Sequence, residues 1–266
     1  MKTTFYKSVR FYISLFCIVG YFALDFFSLP IFSDELLRSL FNDTLQQTLG
    51  FICALLLLQQ SSVSLFNKPK NLLSLLPCFL VAIHNFPYIS FLKGNMELVK
   101  ASTFGIGLFA LSCFSVGLLE ECIFRGLFFY LLLDYFPKTK TGFLKTYFYS
   151  SVLFGVAHIF NLFSGADVFS TLLQVAYCVL TGGMFSFLFI KTQNIICPAL
   201  IHGVYNFCGT LFSASYFGTG VVFDFASGLL FTIVSVFVGI YILRSIFSYT
   251  ETERKDLYKS LGIQAN

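Results

Sequence analysis

The chain has 266 residues, of which 57% are hydrophobic, 19% aromatic and only 11% charged, with a formal net charge of +4. Soluble domains average about 25% charged residues, so the composition excludes an ordinary soluble globule. It points instead to a polytopic membrane protein. The basic residues are scattered among short loops, which argues against nucleic-acid binding and for a topology signal.

A spanning helix needs about 20 apolar residues to cross a hydrocarbon core about 30 Å thick. Eight segments meet that length, near 9–29, 46–66, 72–92, 104–135, 143–163, 168–190, 196–213 and 220–244. The expected fold is therefore all-α, a bundle of about eight transmembrane helices in one domain over residues 1–247. A short cytoplasmic tail follows over 248–266 and is expected to be a solvated end. The basic start (Lys2, Lys7, Arg10) before an apolar run imitates a signal peptide but has no A-x-A-like site, so a retained first helix is expected. The second segment is flanked by Gln46, Gln47, Gln59 and Gln60, and the third contains Pro77 and Pro87, which are expected to kink it. The fourth is too long for one membrane thickness, at about 48 Å for 1.5 Å per residue. Tilt, a bend near Gly117, or projection until Pro137 would each accommodate it. All eight cysteines fall inside apolar segments without CxxC pairs, and read as small buried apolar residues.

With a cytoplasmic N-terminus and eight alternations, the inner side collects Lys2, Lys7, Arg10, Lys68, Lys70, Lys138, Lys140, Lys145, Lys191, Arg244, Arg254, Lys255 and Lys259. The outer side holds Arg38, Lys93 and Lys100, and Arg125 lies within a span. This asymmetry satisfies the positive-inside rule with both termini cytoplasmic.

Few strongly polar residues remain inside the apolar segments: Asp25, His84, Glu120, Glu121, Arg125, His158, His202, Asn206 and Asp224. Ionised groups at membrane depth cost several kcal/mol and usually face a polar interior. Glu121 and Arg125, Phe154 and His158, and His202 and Asn206 are each four apart, which puts each pair on one helix face. Successive helical residues diverge by about 100°, so Glu121 partners Arg125 while Glu120 points elsewhere. Pairing keeps Glu121 ionised, and Glu120 is left as a general base. Counting rise from the expected span ends, Glu120 lies about 24 Å from the outer side. From the inner side His202 lies about 9 Å, Asn206 about 15 Å and His158 about 18 Å deep, so the groups can meet in the cytoplasmic half. A buried polar network gluing helices explains any one of them, and it is the preferred reading for His84, Asp25 and Asp224. Helix gluing does not require two carboxylates, a guanidinium and two imidazoles together.

The ordered motifs Glu120-Glu121-x-x-x-Arg125, Phe154-x-x-x-His158 and His202-x-x-x-Asn206, with Gly126 after Arg125 and Pro198 before the last histidine, resemble the CPBP family of intramembrane endopeptidases. This family is also called the Abi or CAAX protease family. The resemblance covers about residues 104–210. It implies an all-α bundle with its site in a cavity, and an enzyme that hydrolyses a peptide bond. Carried over by position, it makes Glu120 and His158 the groups that activate water. His202 and Asn206 stabilise the oxyanion, Glu121 and Arg125 shape the site or bind substrate, and Phe154 packs.

Family members have been described as metalloproteases, and Glu120, His158 and His202 are an acceptable zinc set. No HExxH pair is present, and the metal-free reading, as in the type II CAAX prenyl endopeptidase, is preferred with zinc as the alternative. Expected partners are a membrane-associated or peptide substrate and membrane lipid. The expected location is a bacterial inner membrane, where peptide precursors outrank a CaaX tail. The competing function is a non-catalytic immunity factor or scaffold that uses the same polar site for binding, and a transporter ranks below it because no repeat is visible.

Overall fold

The computed structural model describes residues 16, 19–20, 23–24, 27–58, 63–99 and 101–263. Asp25 and most of the first expected span lie outside the described residues. Regular structure among the described residues is helical, joined by two isolated bridges, Phe66 with Asn194 and Leu98 with Gly218. The helices used below are α1 (Glu35–Leu58), α2 (Leu75–His84), α3 (Tyr88–Leu92), α4 (Thr103–Glu121), α5 (Tyr130–Tyr135), α6 (Lys140–Ala157), α7 (Val168–Thr192), α8 (Ile196–Thr210), α9 (Phe225–Phe247) and α10 (Glu251–Ser260). A π-helical segment, Cys122–Phe129, joins α4 to α5, and a 3-10 segment, His158–Ser164, follows α6.

Three helices are long and apolar enough to cross a membrane: Thr103–Tyr135, Val168–Thr192 and Phe225–Phe247. Other expected spans differ in extent. The second begins at Glu35 because Asp34 Oδ1 accepts the Leu37 N–H at 2.8 Å, an N-cap that the polar residues before position 46 had hidden. The third is interrupted after His84, where Pro87 cannot continue a helix; Pro77 is tolerated in the first turn of α2. The long fourth segment ends at Tyr135, and Phe136 is extended, as the residue before a proline prefers. Its irregularity is the π segment from Cys122 rather than a bend at Gly117.

The chain forms two compact units, one of Met1–Ser61, Phe79–Glu120 and Ala199–Phe237, the other of Ser62–Cys78, Glu121–Pro198 and Val238–Asn266. The boundary falls between the two adjacent glutamates.

In the first unit, Leu40, Leu108, Phe109, Cys113 and Phe217 form a buried core. Buried Asn42 ties the extended segment before α1 to that helix: its Nδ2 donates to Leu29 O and Arg38 O while its Oδ1 accepts from Leu29 N. Helices α4 and α8 pack closely through glycine. A Cβ on Gly117 would lie 2.7 Å from Ala199 O, and one on Gly203 would lie 3.1 Å from Phe114 Cα. Small residues of this kind let membrane helices approach, and here they bring together the two helices that carry Glu120 and His202. Asn85, in the break after α2, donates from Nδ2 to Tyr205 O at 2.9 Å and fixes α8 beside Asn206.

In the second unit α6 packs on α7, with Gly155 against Val175 O, where a Cβ would lie at 2.7 Å. The C-terminal ends of the three long helices gather at one end of this unit. Phe129 meets Phe189 and Phe187 meets Tyr241, both at 5.8 Å between centroids, and Tyr249 stacks on Phe143 at 5.1 Å. Helix α10 covers that end. The segment from 248 onward was expected to be a solvated tail; instead Thr250 and Glu253 form a capping box, and Arg254, Leu257 and Tyr258 are buried. Arg254 Nη1 donates to Tyr249 O, and Asp256 receives Lys70 at 2.7 Å and Gln193 at 3.1 Å. The alternation of charged residues with Leu257 and Tyr258 at helical spacing is the amphipathic signal that makes this segment pack.

Candidate active site

Glu120 ends the part of α4 that belongs to the first unit, and His202 is its near neighbour on α8. Glu120 Oε2 lies 3.8 Å from His202 Nε2, with side-chain exposures of 29% and 6%. That separation is longer than a hydrogen bond. Oε2 is itself buried and accepts no hydrogen bond among the described residues. The carboxylate is therefore held near an imidazole without being consumed by it. Asn206 follows His202 by one turn of α8, and its carbonyl accepts the Thr210 hydroxyl at 2.6 Å.

Glu121, Arg125, Phe154 and His158 belong to the second unit. Arg125 and Glu121 are fully buried and paired, Nη1 to Oε1 at 2.9 Å, as their four-residue spacing predicts. Arg125 Nη2 donates to Gly182 O at 2.6 Å. Its guanidinium carbon lies 4.6 Å from the Phe154 ring centroid and 5.5 Å from that of Phe185, so two aromatic faces complete the cation's surroundings. Phe154 is thus more than packing: it touches Arg125 on one side and His158 on the other, the latter at 5.2 Å in a T-shaped arrangement.

His158 closes the C-terminus of α6, and its Nδ1 lies 2.9 Å from Phe154 O. A backbone carbonyl only accepts, so Nδ1 is the donor in this bond and Nε2 is the ring nitrogen left to face a ligand. This backbone bond sets the orientation of the imidazole that the sequence could only place on a face.

Sequence reasoning missed Gly182, Phe185 and Asn85, and it read Gly117 as a bend rather than as a close helix contact. The pair Gly182-Gly183 inside an apolar run was a readable sign of close approach, whereas nothing about Phe185 distinguishes it from the other phenylalanines. His84 and Asp224 carry structural roles. His84 Nδ1 lies 2.8 Å from Leu80 O, and Asp224 takes Lys93 in an ion pair and caps α9 through the Ser227 N–H at 2.8 Å. Lys93 first, then Ser227, holds the Asp224 carboxyl down at about 2.

Among the described residues no group of three His, Cys, Asp or Glu side chains forms a set that could hold a metal ion. The first unit supplies two candidate ligands, Glu120 and His202, against the three protein ligands usual for catalytic zinc.

Residues 101–208 match the family model described as type II CAAX prenyl endopeptidase Rce1-like. That match supports the CPBP (CAAX protease) family for this segment, as the motifs suggest. The match spans α4, the π segment, α6, α7 and most of α8, and it contains every motif residue from Glu120 to Asn206. No curated protein and no solved structure matches the chain. The match and the three apolar helices of spanning length together point to a membrane protein.

Proposed function

We propose that the chain is an intramembrane endopeptidase that hydrolyses a peptide bond with a water molecule activated by Glu120. The observation that carries this reading is Glu120 Oε2, buried, without a hydrogen bond among the described residues and 3.8 Å from an imidazole nitrogen. A base must keep a lone pair free for the proton it takes.

In the proposed reaction Glu120 removes one proton from water, and His158 has the assisting role that the family's motif positions imply. The resulting hydroxide adds to the scissile carbonyl carbon. Negative charge then develops on the carbonyl oxygen, where the His202 Nε2–H and the Asn206 side-chain amide donate to it. Collapse of the tetrahedral species breaks the C–N bond, and the proton held by Glu120 passes to the leaving amine. Glu121 and Arg125 form no bond in this sequence. Their buried pair, anchored on Gly182 O and two phenylalanine rings, fixes the start of the π segment next to Glu120 and shapes the substrate's surroundings.

The substrate is a membrane-associated peptide or protein, either a precursor in a bacterial inner membrane or a CaaX-type tail. The loops that the positive-inside pattern assigns to the cytoplasm meet at one end of the second unit through Lys70–Asp256 and Lys191–Glu253, which supports a shared side for them.

The test compares membrane and secreted peptides of cells carrying the wild-type protein with those carrying Glu120→Gln. An uncleaved species that accumulates in the variant, and is processed by purified wild-type protein, is the expected result. Identical peptide profiles, with full biological activity of both Glu120→Gln and His158→Ala, would replace the protease with a binding role such as immunity or scaffolding.

A further inference from the structure

We propose that the end of the second unit capped by α10 is a docking surface for anionic phospholipid headgroups. Four acidic side chains at this end each meet a lysine: Asp134 with Lys138, Glu251 with Lys255, Glu253 with Lys191, and Asp256 with Lys70. Five further cations, Lys68, Lys140, Lys145, Arg244 and Lys259, are exposed and make no ion pair among the described residues. Every acid there is already matched, so the surplus is a field of one sign that internal pairing does not cancel.

The position of these cations decides what they meet. Arg244 sits in the last turn of α9, Lys140 opens α6 just beyond the end of α5, and Lys68 lies in the strap whose Lys70 N–H donates to Thr192 O at the end of α7. These are the ends of the three helices of membrane-spanning length, which is the level of the headgroups. Lys259 extends the set along α10, whose inner face is buried through Arg254, Leu257 and Tyr258.

Exposed apolar and aromatic side chains lie beside them: Leu72 at 58%, Leu73 at 86% and Tyr135 at 81%. A basic rim with insertable Leu and Tyr fits the boundary between headgroups and acyl chains. It does not fit bulk water, where those leucines would be left hydrated. Lysines near an anionic leaflet are attracted with an energy that falls off within a Debye length. The surface thereby sets the depth and tilt of the second unit's helices through charges outside the candidate active site, and the inference stands whether or not the chain is a protease.

The test uses the full chain in phosphatidylcholine nanodiscs containing a minor fraction of spin-labelled phosphatidylglycerol or, in parallel, spin-labelled phosphatidylcholine. Motionally restricted label is read by electron spin resonance. The wild type is expected to restrict phosphatidylglycerol in preference to phosphatidylcholine, with the preference shrinking as salt is raised. Replacing Lys68, Lys140 and Lys259 together by Gln should remove most of that preference, while Arg at the same three positions should keep it. Equal restriction of the two lipids by the wild type, a preference indifferent to salt, or an unchanged preference in a folded glutamine variant would each overturn the proposal. If the glutamine variant fails to fold, the wild-type salt titration and the arginine variant decide the matter alone.

Discussion

Glu120 and Glu121 are chemically identical and adjacent, yet the molecule treats them in opposite ways. Glu121 is fully buried and committed to Arg125 at 2.9 Å, within a cage that includes Gly182 O and the rings of Phe154 and Phe185. Glu120 keeps partial exposure, and its buried Oε2 faces His202 at more than hydrogen-bond distance. The difference teaches that helix phase alone decides which neighbours each of two adjacent carboxylates meets. A change of about 100° around the axis moves it from a guanidinium to an imidazole, and the boundary between the compact units runs through that one peptide bond.

Substitutions should break the comparison in graded ways. Glu120→Gln is nearly isosteric and removes no hydrogen bond at Oε2 among the described residues, so it should lower peptide cleavage by about 10²–10⁴-fold with an unchanged thermal melt, read on the accumulating substrate. Arg125→Ala should do the reverse in kind: stranding the buried Glu121 charge costs about 3–5 kcal/mol, seen as loss of folded protein in a detergent melt before any assay of activity. Equal melts for the two variants would erase the proposed division of roles. Asn206→Ala should reduce kcat about 10²-fold with little change in KM, because an oxyanion donor acts chiefly in the transition state.

Smaller effects sharpen the picture. Gly117→Ala forces a Cβ to 2.7 Å from Ala199 O, and the overpacking should cost about 1–3 kcal/mol and impair cleavage by separating Glu120 from His202. A milder loss is expected on acidification. Lys70, then Gln193, holds the Asp256 carboxyl below its ordinary value. The anchoring of α10 by that group is therefore complete above the ordinary carboxylate range, and it is lost as pH falls through the depressed value. Proteolysis or hydrogen exchange in α10 should be flat from neutral pH to about pH 5 and should rise only in more acidic buffer.

Part of the site was legible because it depends on local periodicity. The same-face pairing of Glu121 with Arg125 follows from four-residue spacing, and the burial of both follows from the apolar run around them. The π segment was not legible, since Cys122–Phe129 differs in composition from neither flank. The orientation of His158 was equally hidden, because it depends on a carbonyl one turn back whose freedom arises only where α6 passes into a 3-10 turn. The short helix α10 was passed over because a charged segment reads as solvated when its two apolar contacts are weighed against its length.

The sequence by itself determined that this is an all-helical chain with apolar helices of spanning length, which polar residues lie within its apolar segments, and that its motifs resemble those of the CAAX protease family. Composition and helical phase are properties of consecutive residues, and no distant contact is needed to read them. Only the tertiary structure decided that Glu120 stands beside His202, that Arg125 is caged by Gly182 and Phe185, and that α10 closes one end of the second unit. Each of these joins positions far apart in the chain. Glycines set how closely helices approach, and the matching of buried polar groups sets which neighbours they meet.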